Sequence, residues 1–105
     1  MIGEDIISQA VALLQQAAPG ATVILFGSQA RGNAGEGSDL DVLVVEPEVK
    51  ARREEMVRLR DVLRPLHIPV DVLVVSEKTF QQWREIPGTI LFDAAREGRI
   101  FHATP

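Results

Sequence analysis

The chain has 105 residues, 46% hydrophobic and 25% charged, with a formal net charge of -4 and no cysteine. That composition is globular, with room for a single core. It excludes disulfides and thiolate metal sites, and its acidic balance speaks against a stand-alone nucleic-acid binder.

From the N-terminus, "MIGEDIISQAV" is acidic and periodic, unlike the basic-then-apolar plan of a secretory signal. Ile6, Ile7, Ala10, Val11, Leu14 and Ala17 recur at helical spacing and predict a helix from about Glu4 to Ala18, ended by Pro19 and Gly20. "TVILF" (Thr22 to Phe26) reads as a buried strand. The stretch "GSQARGNAGEGS" holds four of the eight glycines and reads as a brief helical turn, Gln29 to Arg31, followed by a loop. The strand "LDVLVV" comes next, then a helix from about Glu48 to Arg64 with an apolar stripe of Val49, Met56, Leu59 and Leu63. Its wet side is expected to pair Glu48 with Arg52 and Glu54 with Arg58. "IPVDVLVV" is a further strand, followed by a Ser76-capped helix containing Trp83, a helix from about Gly88 to Glu97, and a short strand "RIFH". No run reaches the roughly 18 apolar residues of a membrane-spanning helix. The expectation is one cytoplasmic domain over residues 1–105, an α/β (α+β) fold with a small mixed sheet flanked by helices.

Aspartates open the two most apolar strands. Alternate residues of a strand share a face, about 7 Å apart, so Asp39 and Asp41 project together while Leu40, Val42 and Val44 pack behind them. If Asp71 starts a neighbouring strand, three carboxylates meet at one end of the sheet, where alone they would repel. Hard divalent cations resolve that conflict. Mg²⁺ is held by a few carboxylates plus substrate phosphates, and two such ions roughly 4 Å apart clamp the oxygens of a phosphoryl displacement. Upstream, Gly27 and Ser28 leave a strand and open a turn where backbone N–H groups favour a phosphate, with Arg31 one turn further on.

Other phosphate and nucleophile motifs do not fit. G-x-x-x-x-G-K-[ST], G-x-G-x-x-G and G-x-S-x-G are all absent, and His67 and His102 have no triad company. Trp83 reads as core or interface. The helix bearing Arg52, Arg53, Arg58, Arg60 and Arg64 also carries Glu48, Glu54, Glu55 and Asp61, and reads as a solvated face, with a docking surface as the alternative.

The segment "FGSQARGNAGEGSDLDVLVV", with Gly27-Ser28, ten residues, then Asp39-x-Asp41, resembles the signature of the nucleotidyltransferase superfamily that includes DNA polymerase beta. With the later "VDVLVV" and the ending "GTILFDAAREGRIF", the chain more closely resembles the minimal nucleotidyltransferases, the MntA-like antitoxin group. The resemblance implies that Asp39 and Asp41 bind two Mg²⁺ ions and that Asp71 binds the catalytic one beside the acceptor hydroxyl. It implies that Gly27 and Ser28 hold ATP, with Arg31 and Ser38 contacting phosphate or shaping the site. It further implies a HEPN-domain toxin as partner, with AMP transferred to a toxin tyrosine and neither membrane nor nucleic acid bound directly. Two alternatives stay open: a non-catalytic module that masks its partner, and nucleotidyl transfer to a small molecule or RNA.

Overall fold

The computed structural model describes residues 2–27, 30 and 39–103. Helix α1 (Glu4–Ala17) forms on the predicted periodicity and buries Ile7, Ala10, Val11 and Leu14 along one stripe. Strand β1 (Thr22–Phe26) follows, then β2 (Leu40–Glu46), both filled with the Val, Ile and Leu that suit a pleated buried surface. Helix α2 (Arg52–Val62) leads through a short 3₁₀ turn (Arg64–Leu66) into β3 (Val70–Ser76). Helices α3 (Glu77–Trp83) and α4 (Ile90–Glu97) and strand β4 (Arg99–Phe101) complete the order.

Helix α2 starts four residues later than its charge pattern predicts. Pro47 ends β2, and Val49 turns toward the main core, so residues 48–51 leave helical spacing and Ala51 caps the helix with φ -132°. The expected i,i+4 pairs do not form as read. Arg58 instead grips Glu55 through two bonds of 2.7 and 2.8 Å, and Arg52 Nε donates to Val74 O at 2.7 Å. Ser76 caps α3 as expected, accepting from Thr79 N, and Thr89 caps α4 by accepting from Phe92 N.

The sheet runs β3-β2-β1-β4. β1 is antiparallel to β2 and β4, and β2 is parallel to β3, so the expected mixed sheet is present. One face, with Val23, Leu25, Leu40, Val42, Val44, Val72 and Val74, packs on α1 and on Leu59 and Leu63. The other, with Ile24, Leu43, Val45 and Val75, packs on Phe80 of α3 and Ala94 of α4. Burial of each such side chain is worth about 1.5–3 kcal/mol. No helix among the described residues is long and apolar enough to cross a membrane.

Candidate active site

β2 and β3 need a crossover helix because they run parallel, and α2 supplies it. Leu40 N bonds Pro69 O at 2.9 Å, which pins the start of β2 to the approach of β3. The register then sets Asp41 directly opposite Asp71 and Phe26 opposite Asp41 on the other side. Directly opposed residues share a face, so both carboxylates project on the α3/α4 side, beyond Leu43 and Leu73. Asp39 precedes β2 by one residue, at the same end. Asp39 and Asp71 are exposed and Asp41 is half-buried.

Gly27 leaves β1 with φ +74°, a conformation that side chains rarely adopt. A Cβ built there would drive into the Asp41 carboxylate, with Asp41 Cγ only 3.2 Å away. The space beside that carboxylate is therefore kept by the absence of a side chain. Ser28, Arg31 and Ser38, along with the predicted loop and all of the predicted helical turn but Ala30, lie outside the described residues.

Among the described residues, no three carboxylate or imidazole groups are closed up far enough to hold an ion. Three like charges have no reason to converge unaided. The donor set still fits a hard divalent cation: it is all oxygen, it sits at one sheet end, and the Gly27 hollow opens beside it.

Asp41 and Asp71 line a cleft of about 390 Å³ whose other wall is α2, with Arg53, Met56, Val57 and Arg60. Sequence reasoning left Arg53 and Arg60 on a solvated face; their i,i+7 spacing, which places them on one helix side with Met56, was the available signal. A second hollow of about 480 Å³ shares Leu73 and Ile90 with the first and adds Leu43, Val75, Trp83 and Leu91. Trp83 is 46% exposed and stands at the rim of this hollow, not in the core. His67 and His102 are exposed and line neither cavity.

At the far end of β2, burial first and then the hydrogen-bonding Glu55 carboxyl raise the Glu46 pKa to about 7, while Arg58 holds Glu55 below its usual value. The buried Glu46 Oε2 has no partner when both carboxyls are ionised, and one proton on Glu46 supplies the missing donor to Glu55.

A model of the nucleotidyltransferase domain matches residues 7–97, from inside α1 to the end of α4. The chain belongs to the nucleotidyltransferase domain family. A search of curated proteins finds no match. Among solved structures, this nucleotidyltransferase domain is similar to a Sulfolobus solfataricus protein assigned as a nucleotidyltransferase: TM-score 0.64, 20% identity, 94% of this chain and 78% of that one. It is also similar to a mutant of the toxin–antitoxin MntA–HpeT, at TM-score 0.68 and 17% identity over 92% of this chain and 73% of that one. A third neighbour is a toxin–antitoxin with AMP-PNP, at TM-score 0.66 and 20% identity over 98% of this chain and 75% of that one. At such identities the likeness speaks for a shared fold.

Proposed function

We propose that residues 1–105 act as one minimal nucleotidyltransferase domain, the antitoxin of a HEPN-domain toxin, transferring AMP from ATP to a toxin tyrosine. The observation that carries the reading is the pairing of Asp41 with Asp71 beside Gly27, inside a cleft large enough for a reacting group. Family membership supports nucleotidyl transfer. The toxin–antitoxin neighbours, one of them holding an ATP analogue, support the partner class and the nucleotide.

In this reading Asp39 and Asp41 would hold two Mg²⁺ ions, with Asp71 as a further ligand to the catalytic one. Bound there, the ions would neutralise charge on the phosphates and so lower the barrier to displacement. Gly27 and Ser28 cradle the triphosphate, with Arg31 and Ser38 contacting phosphate or shaping the site. Asp71 accepts the tyrosine proton as the phenolic oxygen bonds to the α-phosphorus. The bond from that phosphorus to the α–β bridging oxygen breaks, and pyrophosphate leaves.

The test is transfer of labelled AMP from ATP to the co-purified partner. Wild type should label it, EDTA should abolish labelling, and added Mg²⁺ should restore it. The Asp39→Ala/Asp41→Ala double variant should fall to background; equal labelling by that variant sinks the reading. A double variant that cannot transfer AMP yet still neutralises the toxin would establish masking in its place.

A further inference from the structure

Among the described residues β3 is the edge strand of the sheet, and α2 packs against it. In a parallel ladder, successive residues turn their backbone groups alternately toward the partner strand and away from it. Leu40 N takes Pro69 O, so the odd-numbered residues of β3 face β2, while Val70, Val72 and Val74 turn their N–H and C=O outward. Of these outward groups, Val74 O is taken by Arg52 Nε; Val72 lines the cleft that also holds Asp41 and Asp71. An edge with outward-turned backbone groups is a template for an extended chain.

The opposite wall of that cleft is amphipathic. Val57 is 45% exposed, and Ile90, at the junction with the second hollow, is 54% exposed. Arg58 is paired with Glu55, and Arg64, in the turn after α2, with Asp61. Arg53 and Arg60 are exposed, line the cleft, and have no hydrogen bond or ion pair among the described residues. They stand about 10 Å apart along the helix axis, spanning two turns on one face. Unpaired guanidinium groups beside exposed aliphatic side chains and an open strand edge match an extended polypeptide carrying carboxylates.

We propose that the groove between α2 and the free edge of β3 is the docking site for an acidic, extended segment of the protein that accepts the nucleotidyl group, with Arg53 and Arg60 selecting it. The occupant is a polypeptide rather than a nucleic acid, because the groove offers an outward-turned strand edge for backbone pairing and aliphatic contacts. This deepens the preceding reading and rests on it for the identity of the occupant as acceptor.

Trp83 is the only tryptophan, and the hollow it lines opens from the same cleft, so its emission reports occupancy without any turnover. The probe is a synthetic heptapeptide in which tyrosine is flanked by alternating glutamate and valine, titrated against its lysine counterpart in Mg²⁺ with AMP-PNP present. The acidic peptide should bind at least about tenfold more tightly at low salt, and added salt should erode the difference. Arg53→Glu/Arg60→Glu should reverse the preference, and Arg53→Gln/Arg60→Gln should abolish it without reversal. Equal affinities, or a preference unchanged in both variants, would overturn the proposal. So would tighter binding of a single-stranded oligonucleotide of the same charge, or a matching loss of AMP-PNP affinity in the arginine variants. If the peptide preference holds and inverts as stated while no protein or peptide accepts AMP, the groove stands and the transfer reading fails.

Discussion

Gly27 and Asp41 depend on each other. The positive φ at Gly27 turns the chain out of β1, and the missing side chain leaves the Asp41 carboxylate its place. Gly27→Ala should therefore cost roughly 1–3 kcal/mol of stability, measured by urea unfolding, and should also reduce AMP transfer. Gly88 is the control. Its φ is +89° but nothing lies within 4 Å of a built Cβ, so Gly88→Ala should cost about 1 kcal/mol and leave transfer intact. Equal transfer by the two variants would mean that the Gly27 hollow has no functional role. Gly27 and the Asp39-x-Asp41 pair stood out in the sequence as candidates because their signal is local. Arg53 and Arg60 were not, since a charged helix reads alike whether its arginines face water or a cleft.

Strands and helices show where local patterns hold and where they give way. Apolar runs located all four strands, and Ser76 was legible as the cap of α3 from its type and position. The start of α2 was not legible, because Val49 is drawn to a core that its neighbours in sequence do not reveal. Thr89 also escaped notice. Its hydroxyl caps Phe92 N and donates toward Ile86 O, tying α4 to the turn that precedes it. Thr89→Ala should destabilise by about 1 kcal/mol and loosen Ile90, detectable as faster amide exchange at the start of α4.

β2 carries a pH dependence at its far end. The native state holds the Glu46 proton up to about pH 7, whereas the unfolded chain releases it near 4.5. That contribution is full below pH 4.5 and is lost as pH rises through 7, because the folded pKa is the higher one. Glu46→Gln should accordingly be more stable than wild type at pH 8, by on the order of 1 kcal/mol after allowance for solvent screening. The gain should vanish by pH 5. Thermal melts at the two pH values check this, and a gain that does not change with pH contradicts it.

The molecule is a sheet with a core on each face. Leu59 lies in the α1/α2 layer and Leu43 in the α3/α4 layer, both with 0% exposure. Leu59→Ala should cost about 2–5 kcal/mol by leaving a cavity, a large share of a small domain's stability. Leu43→Ala should cost a similar amount and also disturb the cleft, since Leu43 lines the hollow next to the carboxylates. Urea unfolding with an AMP-PNP binding assay should separate them: Leu59→Ala loses stability, and Leu43→Ala loses stability and nucleotide affinity together.

The sequence by itself determined which residues are apolar at which period. With that came the strands, most helices, and the place of Asp41 near the start of an apolar strand. These features depend on contacts a few residues apart, which a linear pattern records. Only the tertiary structure decided that β3 lies parallel beside β2 with Asp71 opposite Asp41, and that β3 ends the sheet. It alone decided that α2 turns Arg53 and Arg60 toward the same cleft. Strand order and helix rotation are set by how two cores close around one sheet, a choice made among residues distant in sequence.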